Sequence, residues 1–287
     1  MVKAPSGFPG ILVVILILSA FLSDTSAAGA KEPTMKKYFQ GSDAEKMLEQ
    51  AIRQDSAEGI IKAVKAGADP NTRGLYGVTP LEMAVGDLRK NAVAELLRQG
   101  ADMNVRDAEG DNAVTWAVVA YKRDPQILDM LLDAGADPNT LRADGDPIIV
   151  RFLADHDLDA IRYLHEKGAN IDARDRSNDP LILTEGVTKD WDSVWTLLEL
   201  GAKFDYYHER FTWQKIFSNP NATPPDSSLW PFKVKVWKFL RQHGQPVPAR
   251  LEDLIDQAYW DYLKENNLPR PTMEELEKLG AERKSRF

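Results

Sequence analysis

Apolar side chains recur along this chain on a long beat. Counting back seven residues from Gly67, Gly100, Gly135, Gly168, Gly201 and Gly244 reaches Ile60, Val93, Leu128, Ile161, Val194 and Trp237. Counting back four reaches Ala63, Leu96, Leu131, Leu164, Leu197 and Leu240. Two columns three residues apart occupy one face of an α-helix. The glycines follow one another at steps of 33, 35, 33 and 33 residues, then 43. A fixed period of this length is the mark of a stacked repeat. A single face of this size cannot form a core, but stacking neighbours makes it continuous. The pattern therefore predicts an all-α fold of helix pairs.

Local signals place the pairs. Ser42-Asp43-Ala44-Glu45 has the form of a capping box, opening a helix to about Arg53. A second helix, from about Ser56 to Ala66, ends at Gly67, a residue suited to the left-handed conformation that closes a helix. Beyond Gly201 the pattern loosens. Phe211-Thr212-Trp213 begins another first helix, Pro231 to His243 forms another second helix, and the polar, proline-rich stretch 218–226 between them is a loop. Arg250 to Glu265 reads as one helix with Leu251, Leu254, Ile255, Ala258, Tyr259 and Tyr262 on one side, and a short helix follows from Thr272 to about Leu279. The expected division is a signal segment (1–30), a linker (31–41), a repeat stack (42–244) whose last unit carries a long loop near 218–230, and a helical C-terminal cap and tail (245–287).

One unit carries a family pattern. Gly74-Leu75-Tyr76-Gly77-Val78-Thr79-Pro80-Leu81-Glu82-Met83-Ala84, followed by Ala94-Glu95-Leu96-Leu97 and Gly100-Ala101-Asp102, resembles an ankyrin repeat. That family opens its first helix with Thr-Pro-Leu-His, places two leucines in the second and closes with Gly-Ala-Asp. Thr79 and Pro80 suit a helix start, as a capping hydroxyl and a residue that needs no N–H donor. The resemblance runs from about Ser42 to Leu200 and continues more loosely to Gly244. It implies an ankyrin-like solenoid with projecting loops and an atypical helical cap. The chain also departs from the pattern. Glu82 replaces the family histidine, Asn112-Ala113-Val114-Thr115 replaces the whole tetrad, and Phe152 and Glu185 stand where the family has alanine, so those two units must pack differently. His165 stands in a leucine column.

Composition narrows the function. A formal net charge of −8 argues against nucleic acid as a partner. Lys3, the 12-residue apolar run Ile11–Leu22 and the small residues Ala28-Gly29-Ala30 have the layout of a secretory signal, and an uncleaved anchor is the alternative. Membrane contact is expected only in that second case. The chain has no cysteine, so disulfides, thiolate nucleophiles and thiolate metal ligands are excluded.

Catalytic motifs are not found. His156, His165, His208 and His243 are scattered among the repeats without metal-ligand spacing, and there is no HExxH, phosphate-binding glycine loop or nucleophile elbow. Asp155-His156-Asp157 falls at a turn between helices and reads as solvated loop. No catalytic residue, metal site or cofactor is assigned. Recognition falls instead to the projecting loops. In the resembling family these loops and the adjacent first-helix surface contact the partner. Matching their variable positions gives Arg73, Leu75 and Tyr76, then Arg106 and Glu109, then Asp144, then Arg174 and Arg176, and finally Tyr207 and Glu209. Arginine and tyrosine often anchor interfaces. Six of the seven tryptophans fall between Trp191 and Trp260, either as core filling or as a sticky patch.

These readings point to a non-enzymatic module that binds another protein. The export-like segment and the resemblance to exported bacterial ankyrin-like proteins extend that to the periplasm. There the resemblance implies an immunity protein that occludes a cognate secreted toxic enzyme such as a phospholipase effector. A periplasmic scaffold or stress accessory, for example one supporting catalase, is the alternative. A hydrolase with a site in the aromatic C-terminal region is the third, and it would require a pocket of paired carboxylates with displaced pKa values.

Overall fold

The computed structural model describes residues 38–39, 41–205, 212–217, 223, 225, 227–255 and 257–278. The signal segment, most of the linker, most of the 218–226 loop and the tail lie outside the described residues. The chain divides into two compact units, Met1–Ala134 and Gly135–Phe287. Among the described residues there are helices and two isolated β-bridges but no strand.

Unit 1 holds three helix pairs: α1 (Asp43–Arg53) with α2 (Ala57–Lys65), α3 (Pro80–Gly86) with α4 (Lys90–Arg98), and α5 (Ala113–Ala120) with α6 (Gln126–Asp133). The first helices stack on one another in the order α1, α3, α5, and the second helices in the order α2, α4, α6. Ser42, Thr79 and Asn112 begin α1, α3 and α5. Each accepts the backbone N–H three residues on, and the residue there (Glu45, Glu82 or Thr115) accepts the cap residue's N–H in return. Asn112-Ala113-Val114-Thr115, a departure at the level of residue names, thus reproduces the capping box with different atoms.

Unit 2 repeats the arrangement with α7 (Ile149–Ala154) and α8 (Leu158–Glu166), α9 (Leu181–Thr188) and α10 (Trp191–Glu199), then α11 (Trp213–Phe217) and α12 (Trp230–Gln242). The second helices stack as α8, α10, α12, and α9 packs on α11. In both units the sequence columns form the core: Ile60, Ala63, Val93, Leu96, Leu128, Leu131, Ile161, Leu164, Val194, Leu197, Trp237 and Leu240 are all buried. The six closing glycines have φ between 71° and 100°, a region that penalises a Cβ.

The C-terminal segment differs from expectation. Arg250 to Glu265 is a 3-10 turn (Leu251–Leu254) followed by α13 (Gln257–Glu265), and α14 (Met273–Lys278) packs on α12. The break changes which side is apolar. Leu254, Ile255 and Leu263 are buried, while Tyr262, expected to face inward, is exposed. Four of the six clustered tryptophans are core. Trp191, Trp213, Trp230 and Trp237 are buried, and their indole N–H groups donate to Thr223 Oγ1, Phe204 O, Leu276 O and Pro248 O. Lys233 is buried among them, donating to Leu254 O at 2.6 Å beneath the Trp230 ring.

Glu82 makes unit 1 sensitive to pH. It is fully buried, one carboxylate oxygen accepts from Thr79 N at 2.6 Å and the other has no partner. Burial, opposed by the Thr79 hydrogen bonds and reinforced by Asp107, pushes its pKa from 4.5 up to about 7. The folded state therefore holds a proton that the unfolded state has released between those values. Its contribution is complete below pH 4.5 and is lost as pH rises to about 7, a change of at most about 3 kcal/mol. Glu82→Gln keeps an acceptor for Thr79 N and cannot ionise. It should match the wild type at pH 4.5 and exceed it in urea midpoint at pH 8. Parallel pH profiles of the two proteins would refute the assignment.

Candidate functional site

Two places in the fold gather functional side chains: the loops between repeats (the fingers), and the short turns inside each helix pair. The fingers are built by repeating Asx and Gly geometry. Asp107 N–H donates to Asp111 O at 2.8 Å, and its carboxylate accepts Glu109 N and Asp111 N. Asp175 does the same for Asp179, Ser177 N and Asp179 N. Bridges between Leu141 and Pro147, and between Arg174 and Pro180, pinch the bases of two fingers in unit 2. Successive fingers are also tied together. In unit 1, Asn71 accepts Asp102 N and donates to Gly100 O, and Ala108 N donates to Tyr76 O at 2.8 Å. In unit 2, Asn139 repeats the first arrangement with Asn170 N and Gly168 O.

This scaffold sorts the sequence-selected residues. In unit 1, Leu75 and Tyr76 are 37% and 57% exposed, on a turn where Tyr76 holds φ 59°. Glu109 is exposed at the next tip. Arg73 and Arg106 are exposed but hold the scaffold: Arg73 Nη1 donates to Arg106 O at 2.8 Å, and Arg106 Nη1 donates to Gly110 O. In unit 2, Arg174 likewise donates to Asn178 O. Asp144 is half-buried, 3.0 Å from Arg142 and 3.9 Å from Arg176. Tyr207 and Glu209 lie outside the described residues. Arginines that look free in sequence are therefore partly committed to finger geometry, and among the sequence-selected residues described the exposed apolar side chains are Leu75 and Tyr76.

The interhelix turns of unit 2 form the second place. The residue two before the second helix is left-handed in both regular pairs, His156 (φ 53°) and Lys189 (φ 69°). Asp155 and Asp157, the neighbours of His156, are spent locally: Asp155 accepts Arg151 at 2.8 Å and Asp157 caps α8 through Ala160 N. The carboxylate that His156 meets is one repeat further on. Its Nδ1 lies 3.2 Å from Asp190 Oδ2, which also accepts Ser193 Oγ at 2.9 Å. Asp192 stands beside this pair, and one coordinating atom from each of His156, Asp190 and Asp192 falls within 4.8 Å of the others. The expectation of a merely solvated triplet is replaced by a cluster assembled across repeats, which the spacing within 155–157 could not show.

A pocket of about 330 Å³ opens here, lined by His156, Glu185, Lys189 and Asp190 against Val150 and Leu153. Glu185, at the family's alanine position, projects a carboxyl group into the gap. Burial first, and then its hydrogen bond to Asp190, hold Glu185 protonated well above the ordinary carboxyl range. Burial and Asp190 raise Asp192 too. Burial alone lowers Lys189 to about 8.

Residues 48–142 match the family model described as ankyrin repeats in three copies. This stretch is an array of ankyrin repeats. The matched region contains the Thr79-Pro80 helix start, the closing turns at Gly67, Gly100 and Gly135, and the five finger residues of the first two loops, Arg73, Leu75, Tyr76, Arg106 and Glu109. The chain is 35% identical over 106 residues to the E3 ubiquitin-protein ligase KEG of Arabidopsis thaliana, a stretch covering 37% of this chain and 6% of that protein. It is 29% identical over 122 residues to an ankyrin repeat domain-containing protein of Stachybotrys chartarum, covering 42% of this chain and 6% of the other. The chain thus spans a small part of the relatives it matches. Ankyrin repeats are a protein–protein interaction module, and the described residues of both units are helical as that module requires.

Proposed function

We propose that this protein binds another protein through its ankyrin fingers without catalysing a reaction, and that the first finger of unit 1 is the centre of contact. The exposed pair Leu75 and Tyr76 carries this reading. Apolar side chains held on a turn by backbone hydrogen bonds lose little freedom on binding, and tyrosine is a frequent interface anchor. Arg106 and Glu109 on the next finger of unit 1 supply a charged rim.

The finer reading is an immunity protein of the bacterial periplasm that covers the active-site mouth of a cognate secreted toxic enzyme, such as a phospholipase. Its support is the export-like pattern of residues 1–30 combined with a binding module; both relatives named above are eukaryotic and bear on neither compartment nor partner. The purified chain should inhibit the toxic enzyme encoded beside it, and a Leu75→Asp/Tyr76→Asp variant should inhibit at least about tenfold less while melting normally. Equal inhibition by the folded double variant would remove the first finger from the interface. Deletion should cause self-intoxication. Oxidant sensitivity without self-intoxication would favour the scaffold reading.

The hydrolase reading gains one observation, the carboxyl groups of Glu185 and Asp190 at the pocket, with Asp192 beside Asp190. They lie beside the aromatic segment, whose tryptophans at 191, 213, 230 and 237 are consumed by the core. Binding remains the leading function.

A further inference from the structure

We propose that His156, Asp190 and Asp192 bind one divalent transition-metal ion, which ties the α7–α8 turn of unit 2 to the first turn of α10. Asp190 is the centre of the argument. It is 6% exposed, no backbone, hydroxyl or nitrogen donor reaches its Oδ1, its other oxygen is shared by His156 and Ser193, and the carboxyl groups of Glu185 and Asp192 stand beside it. A buried carboxylate crowded by two further carboxyl groups is costly without a cation, and here it borders a pocket wide enough for an ion and its waters.

The obvious internal cation does not fill the role. Lys189, one residue before Asp190, turns its ammonium to Ile216 O and over the Trp191 ring at 5.6 Å. Nor do the aspartates flanking His156, which are occupied by Arg151 and by the α8 cap. One imidazole nitrogen and two carboxylates place coordinating atoms no more than 4.8 Å apart, with the Glu185 carboxyl lining the same gap. His156, whose side chain is 62% exposed, has room to rotate about its contact with Asp190 as that spacing closes to a coordination sphere. A mixed nitrogen and oxygen set suits Zn²⁺ or Mn²⁺, whereas Ca²⁺ and Mg²⁺ favour oxygen alone. The residues come from adjacent repeats, so the ion would fasten one pair to the next. This inference stands apart from the binding role of the fingers.

The test uses the full chain, freed of metal with EDTA and titrated with ZnCl₂, MnCl₂ and CaCl₂. One Zn²⁺ per chain should bind and raise the thermal midpoint, with Ca²⁺ weaker. His156→Ala and Asp192→Asn should each weaken Zn²⁺ at least about tenfold. His243→Ala, at an exposed histidine elsewhere in the unit, should bind as the wild type. His156→Lys brings a tethered cation to Asp190. It should raise the metal-free midpoint and abolish the Zn²⁺ response, a pair of effects that a solvated turn would not show. Absence of saturable one-to-one binding overturns the proposal, as does undiminished affinity in the folded His156→Ala/Asp192→Asn variant.

Discussion

Leu131→Asp should abolish cooperative folding of unit 1. Leu131 lies on α6, fully buried, four residues before the closing Gly135 and in the column that includes Ala63 and Leu96. The substitution removes a buried leucine, worth about 2–5 kcal/mol by analogy with truncation to alanine. It also places a carboxylate where α4 packs against α6. The sum rivals the whole stability of a domain this size. Circular dichroism during urea denaturation should show a shallow loss of helix in place of a transition. Gln126→Asp, on the exposed first turn of the same helix, should unfold like the wild type. A normal transition for Leu131→Asp would mean that the apolar columns do not share a core.

Trp191→Ala should cost unit 2 about 3–5 kcal/mol. The indole is fully buried, stacked on Phe217 with centroids 4.8 Å apart, and its N–H donates to Thr223 Oγ1 at 2.7 Å. The Lys189 and Lys233 ammonium groups lie over its ring at 5.6 and 6.0 Å. Truncation therefore opens a cavity and strips two cations of an aromatic face at once. Trp191→Phe keeps most of the packing and loses the hydrogen bond, so its cost should be less than half as large. Urea midpoints at constant slope would measure both. A loss below about 1 kcal/mol for the alanine variant would return the aromatic segment to the status of a surface patch.

Much of the fold was legible in sequence because a stacked repeat writes its core locally. Each column residue is buried by equivalent residues of the neighbouring pair, so period and register suffice to identify it. The capping box at Ser42 and the helix cap at Thr79 were legible for the same reason, being bonds within four residues. The one at Asn112 required atoms: an amide oxygen and a threonine hydroxyl do the work of the usual pair. The break before α13 was not visible, because an apolar spacing of three and four fits both a continuous helix and a 3-10 turn followed by another helix.

The candidate sites divide along the same line. Finger positions could be read from the repeat register, yet the register could not tell Tyr76, which is open to solvent, from Arg106, which holds its own turn. His156 was found with the wrong neighbours. Its partners Asp190 and Asp192 lie in the next repeat, and the missing signal was the 33-residue step itself, which sets residue 156 over residue 189 and so beside 190.

The sequence by itself determined the helix pairs, their period, their buried columns and the loops available for recognition, since these depend on contacts between equivalent positions. Only the tertiary structure decided which polar groups meet across repeats: His156 with Asp190, Glu185 with Asp190, and Lys233 beneath Trp230. Polar pairing depends on direction and on distances of about 3 Å, and a hydrophobic period constrains neither.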